Sequence, residues 1–191
     1  MIVHHVRGAA IGIAAVIGVV VGAVIVIVYM GYAPMAADSA PSSIEANLAM
    51  KALHAASERQ MGDVKSPLAA NDANLLAGLK TYQQNCVICH GAADGKASNI
   101  AAGFYVPAPQ FAKDGAEDDP EGATYWKIHH GIRFSAMPAF MHSLKDEQIW
   151  QVALFLKHMD ALPKTVDAAW KATKSVGGMD MAATPTMDMK R

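Results

Sequence analysis

Cys86, Cys89 and His90 fall within five residues, CVICH, and the two cysteines are the only ones in the chain. Three chemistries use thiols at this spacing. A zinc site needs about four nitrogen or sulfur ligands, usually from two such pairs or from one pair and two histidines at fixed spacing, and no second pair exists. A dithiol redox pair belongs beside a strand in an alternating βα pattern, whereas the flanks here read as helix. Covalent haem attachment remains: two thiols add across two vinyl groups to give thioethers, and His90 is carried under the iron by the same helical turn. The lack of further cysteines favours this reading, because an exported domain with spare thiols could have used them for disulfides.

A histidine-bound iron poses a question on its other face. Met137, in SAMPAF, lies beside Pro138, which restricts the backbone there. Its thioether would close a His/Met pair and raise the reduction potential relative to two histidines. Met141 is the alternative in the same loop, and His129 or His130 would give a bis-histidine site. An open sixth position would instead permit ligand chemistry, as in a peroxidase or gas sensor. His54 and His158 read as helix-surface residues.

These residues must be positioned by helices. Hydrophobic residues make up 52% of the sequence, with a large share in the first thirty positions. Gly8 to Met30 carries no charged side chain, and 23 helical residues at ~1.5 Å each reach about 34 Å, enough to cross a bilayer core. The apolar run exceeds a secretory h-region, so an uncleaved anchor is expected over residues 1–32. Gly18 and Gly22 form a GxxxG pair suited to close helix packing. Arg7 precedes the span and residues 31–40 lack Lys and Arg, which places the N-terminus in the cytoplasm and the rest outside.

Residues 33–70 read as a linker containing a spacer helix. Ser42 and Glu45 have capping-box spacing, and Ile44, Leu48 and Ala52 share one side. The third segment, 71–162, begins with a helix carrying Leu75, Leu76, Leu79 and Tyr82 into Cys86, capped by Asn71 or Asp72. Gly91 to Pro120 is Gly- and Pro-rich loop with short turns. Helices are expected over Glu121–His130 and after Ser143, whose hydroxyl can cap the second, and there Ile149, Val152, Ala153 and Leu156 form an apolar face. Residues 163–191 read as a flexible, Met-containing tail. Strand signals are weak throughout, so the fold class is all-α: a transmembrane helix, a spacer helix and a small helical globule.

The segment from Asn71 to Leu162 resembles the class I c-type cytochromes. Gly78 and Tyr82 before CVICHG, then DGK, a Pro-rich loop, IHHGIRFSAMPAF and a closing DEQIWQVALFL carry the resemblance. It implies one covalent haem c within crossing first and last helices, residues 72–89 and 144–159, with Gly78 and Tyr82 meeting Trp150 or its neighbours. It also implies a loop carbonyl, at Pro107 or Pro109, orienting the proximal imidazole. Phe104, Tyr105, Phe111, Ile128, Phe134 and Phe140 could supply an apolar wall around the ring.

The expected function is one-electron transfer with His90 and Met137 as axial ligands. It would serve a membrane-anchored subunit of a respiratory, dehydrogenase or photosynthetic complex. Another cytochrome, an oxidase or a reaction centre would be its redox partner. A purely structural role in assembling such a complex is the third possibility. A net charge of −1 offers no basic surface for nucleic acid, and nothing suggests a small-molecule substrate. Asp114, Glu117, Asp118, Asp119 and Glu121 form an acidic run that could steer a basic partner. Met179, Met181, Met187 and Met189 could offer thioethers to Cu(I).

Overall fold

The structure is a computed structural model describing residues 2–116 and 118–175. The four methionines of the C-terminal segment and Glu117 of the acidic run lie outside the described residues. The chain divides into two compact units, at Ala36 and Ala37.

The first unit is one helix, α1 (Ile2–Tyr29), of which Ala10–Tyr29 is apolar and long enough to cross a membrane. Its end follows from Gly31, which takes φ +76°. That turn lets Gly31 N–H reach Val28 O at 3.1 Å and Tyr32 N–H reach Ile27 O at 3.0 Å, satisfying carbonyls that a helix end leaves bare.

The second unit holds α2 (Ser43–Met61), α3 (Asp72–Asn85), α4 (Val87–His90), α5 (Asn99–Ala102), α6 (Phe111–Asp114), α7 (Glu121–His130), α8 (Asp146–Lys157) and α9 (Lys164–Ala172). No strand occurs among the described residues, in keeping with the all-α expectation. The core is built where α3 crosses α8. Leu75, Leu79 and Tyr82 from one and Ile149, Val152 and Phe155 from the other are buried together with Val87 and Ile128. Each fully buried aliphatic or aromatic side chain contributes roughly 1.5–3 kcal/mol. Gly78 makes the crossing possible: a Cβ there would sit 2.0 Å from the Gln151 carbonyl oxygen. The partner of Gly78 is thus a neighbour of Trp150, while Trp150 itself stacks on Tyr125 with centroids 4.2 Å apart.

Three sequence expectations need correction. The segment after Leu162 is not wholly tail, because α9 docks on α3 with Val166 and Trp170 buried. Gln83 Nε2 donates to Thr173 Oγ1 at 2.7 Å, and Ser175 Oγ bonds Asp94, so the globule extends at least to residue 175. The spacer helix is not a free-standing strut. α2 packs on α7, where Gly122 would place a Cβ only 1.9 Å from Met61 O. Its buried side carries Leu53 and Ser57, while Ile44 and Leu48, the expected stripe, are 80% and 68% exposed. Finally, Ser143 does not cap α8. Its hydroxyl donates to Phe140 O inside the preceding 3₁₀ turn (Phe140–His142), and Lys145 N–H is satisfied by Gln148 Oε1 at 3.0 Å.

Candidate functional site

α3 ends at Asn85, and Cys86 joins it to the single turn of α4. Cys89 N–H and His90 N–H both return to Cys86 O, at 3.0 and 2.8 Å, so the two thiols and the imidazole hang from one helical turn. Both cysteines are free; Cys86 is buried and Cys89 half-buried. Burial, followed by the neighbouring Cys89, pushes the Cys86 thiol up to about 12, and burial raises Cys89 as well. This surrounding favours neutral sulfur, which a thioether is and a thiolate is not.

The His90 ring is fixed on two sides by consecutive residues. Its Nδ1 lies 3.0 Å from Pro109 O, and its face stacks on Phe111 with centroids 4.5 Å apart and planes 8° from parallel. A carbonyl can only accept, so Nδ1 carries the proton and Nε2 presents its lone pair. Burial lowers the pKa of His90 and the Pro109 bond partly offsets it, which keeps the ring neutral as a ligand must be. Of the two prolines considered, it is Pro109 whose carbonyl meets the imidazole. Pro107 lines a surface cleft with Ala37–Ala40 and Ala102–Tyr105.

The carbonyl end of this turn is tied down from three other places. Ser98 Oγ donates to Ile88 O, Gln110 Nε2 to Cys89 O at 3.0 Å, and Tyr82 OH to Gly91 O at 2.8 Å. Gly91 takes φ +76°, and a Cβ there would lie 2.6 Å from Gln110 Oε1. Nothing in the sequence marked Ser98 or Gln110, whose roles depend on a fold that brings residues ten and more apart onto one short helix.

Met137 is half-buried and packs, with Phe111 and Phe140, against the core that contains Cys86, Val87 and Ile128. Its loop is held by backbone bonds: Ile132 N–H donates to Met137 O at 3.1 Å and Met137 N–H to Ser135 Oγ at 3.2 Å. Gly131, at φ +67°, lets Pro138 approach so closely that a Cβ would stand 2.6 Å from the Pro138 carbonyl carbon. Phe134, in the same loop, adopts φ +62° and is 92% exposed. Such a backbone is costly for a bulky residue. Tyr105 gives its hydroxyl to Glu45 Oε1 at 2.7 Å, and Phe104 lines the Pro107 cleft. Met141 is exposed. His129 stacks on Tyr125, with Nε2 3.8 Å from Asp146 Oδ1.

These residues fit a haem. Two cysteines i and i+3 on one turn match two vinyl groups, and the His90 tautomer leaves the Nε2 lone pair free. α7 also carries Trp126, whose Nε1–H is buried without an acceptor. A haem propionate is an acceptor of the kind such a donor requires.

The model of the family described as "Cytochrome C oxidase, cbb3-type, subunit III" matches residues 73–156, the stretch that contains CVICH, the Pro109 loop and Met137. This stretch is a c-type cytochrome domain. Such a domain carries a covalently attached c-type haem, and α1, outside the matched stretch, is a candidate membrane anchor. No curated protein matches. Among solved structures, a chain of the reducing HAO-like protein complex of Kuenenia stuttgartiensis is 22% identical, with a TM-score of 0.42 over 49% of this chain. The match spans 47% of that chain's length.

Three carboxylates of the acidic run have partners within the globule. Asp114 accepts from Gln110 N–H at 2.6 Å, Glu121 from Ser66 N–H at 3.1 Å, and Asp119 pairs with Lys127 Nζ at 2.7 Å.

Proposed function

We propose that Cys86 and Cys89 hold the haem as two thioethers, that His90 Nε2 and Met137 Sδ take the two axial positions, and that the protein relays single electrons. The observation that carries this reading is the Pro109 carbonyl on His90 Nδ1, within the turn that also bears both cysteines. It leaves the Nε2 lone pair of a neutral imidazole free, as a metal ligand requires.

The bound haem supplies the Fe(III)/Fe(II) couple. The chain does the rest. Pro109 and Phe111 keep the imidazole from rotating, the core under Cys86 and Val87 excludes water, and the hydrogen-bonded 132–137 loop holds Met137 against that core. Holding both ligands in one arrangement reduces the rearrangement that accompanies each electron. The buried, unpartnered Trp126 Nε1–H would be a donor for a propionate. The match to a cytochrome c family over residues 73–156 favours electron transfer over peroxidase-type chemistry.

We further propose that α1 anchors the protein in a bacterial cytoplasmic membrane with residues 1–7 inside and the haem on the outer side. Arg7, against a Lys- and Arg-free stretch at 31–40, supports that orientation. The resemblance to an oxidase subunit family supports a role as a subunit of a membrane electron-transfer complex. A second cytochrome, an oxidase or a reaction centre would then be its redox partner.

The test is ligand binding. The purified protein should be low-spin and slow to bind cyanide or carbon monoxide, while Met137→Ala should turn high-spin and bind either at once. Rapid binding by the unmodified protein, or a Met137→Ala protein with an unchanged spectrum, overturns the axial assignment.

A further inference from the structure

Gln110 sits between the two residues that touch the His90 ring. Pro109 meets its Nδ1 edge and Phe111 its face, so whatever fixes residue 110 fixes both contacts. Gln110 is hydrogen-bonded at three atoms. Its Nε2 donates to Cys89 O and to Ala108 O, both at 3.0 Å, and these two carbonyls identify the amino side of the amide. Its backbone N–H donates to Asp114 Oδ2 at 2.6 Å, and its carbonyl receives Lys113 N–H at 2.8 Å. Its Oε1 is buried against Gly91, where any larger residue would collide with it. One side chain thus spans from the CVICH turn to the loop that carries the proximal carbonyl.

We infer that Gln110 is a positioning residue that sets the reduction potential, by clamping the Pro109 carbonyl onto His90 Nδ1 through its bonds to Cys89 O and Ala108 O. The inference rests on the proposed ligation by His90. A strong Nδ1–H···O bond pushes electron density to Nε2 and stabilises Fe(III). Releasing the clamp weakens that bond and therefore raises the potential. Ser98 and Tyr82 each hydrogen-bond only the turn; Tyr82 meets Phe111 by ring contact, with centroids 6.2 Å apart, and makes no bond to residues 108–110.

The experiment compares the full-length, haem-loaded protein in detergent with its Gln110→Leu and Gln110→Met variants, which keep most of the volume and lose both donors. Gln83→Ala, which cuts only the bond to Thr173, is the control for a general loss of stability. Two quantities are read: the midpoint potential, and solvent exchange of the His90 Nδ1 proton by NMR of the reduced protein. The expected result is a rise in potential that changes the Fe(III)/Fe(II) ratio at fixed ambient potential by up to about tenfold, ~59 mV for one electron. Nδ1 exchange should quicken about tenfold or more, the size of effect typical for partners behind a metal-bound histidine. Gln83→Ala should change neither. Unchanged potential and exchange in both Gln110 variants overturn the inference, as does a Gln83→Ala shift of equal size. Should the variants fail to accumulate, exchange in the unmodified protein decides. A Nδ1 proton that exchanges as freely as in a peptide overturns the clamp. An unmodified protein that binds no haem, or whose His90 does not ligate iron, overturns the proposed function instead.

Discussion

Tyr82→Phe removes one oxygen from the centre of the molecule, and its cost should depend on pH in a way that identifies the cause. Tyr82 is fully buried, its ring lies among Phe155, Trp170 and Phe111, and its hydroxyl donates to Gly91 O at 2.8 Å. The phenylalanine variant keeps the packing and leaves a buried carbonyl short of its donor, which costs about 1–2 kcal/mol at neutral pH. Burial, and then the neighbouring Cys86, raise the pKa of Tyr82 far above the ordinary phenol value. A group raised in this way contributes stability that is complete below the unfolded pKa and is lost as pH climbs past it. The unfolded chain then releases a proton that the folded chain keeps. With an unfolded pKa near 10, that loss reaches about 1.4 kcal/mol at pH 11. The variant has no such proton to lose. Its deficit at pH 8 should therefore shrink almost to nothing by pH 11. Urea unfolding of the reduced, haem-loaded proteins, followed by circular dichroism at both pH values, measures it. A deficit that stays constant from pH 8 to pH 11, or none at pH 8, refutes the reasoning.

Gly78→Ala should cost about 3 kcal/mol or more, the upper end for overpacking, because its Cβ would meet backbone at 2.0 Å and the α3–α8 crossing would have to open. Urea unfolding reads this, and a loss below 1 kcal/mol contradicts the close approach. Trp170→Ala should cost about 3–5 kcal/mol despite lying beyond the resemblance to a cytochrome, since its ring is buried against Tyr82 and Phe155. Proteolysis within residues 163–175 should become rapid in that variant and stay slow in the unmodified protein. Asp119→Asn should change stability by less than about 1 kcal/mol, as expected for a half-exposed ion pair with Lys127. It should leave reduction by a basic cytochrome at low salt within twofold, and a larger fall would restore the acidic run as a docking site.

Much of the haem site could be read from the sequence because its chemistry is local. CVICH places both thiols and the imidazole proposed as ligand on one turn, and no tertiary contact is needed to recognise it. The apolar face of α8 was legible for the same reason, as an unbroken 3.6-residue repeat over twelve helical residues. What escaped depends on tertiary packing. α9 is nine residues long and rests on two large anchors, Val166 and Trp170, with Asp167, Ala168 and Ala169 between them, too short a stretch for the repeat to recur. On α2 the aliphatic residues mark the wrong side: Gly122 allows backbone contact there, so the docked face needs small residues such as Ser57 rather than Ile44 and Leu48. The acidic run was a charge pattern whose partners, Lys127 and two backbone N–H groups, no linear reading could supply.

The bonds around CVICH also explain why so short a helix can hold a ligand steady. A four-residue helix leaves its C-terminal carbonyls without intrahelical partners, and a turn of that length has little stability of its own. Here Ile88 O, Cys89 O and Gly91 O receive donors from Ser98, Gln110 and Tyr82, which belong to three separate segments of the chain. The backbone that carries His90 is therefore fixed by the whole globule rather than by its own helix. Of the three donors only Gln110 hydrogen-bonds both the turn and the segment whose carbonyl meets the imidazole, while Tyr82 reaches Phe111 by ring contact alone. Losing Ser98 or Tyr82 should loosen the platform as a whole and appear first as instability. Losing Gln110 should also alter the electronic character of the ligand. Stability and potential need not change together in this site, because the donor that tunes the imidazole is one of three that support it.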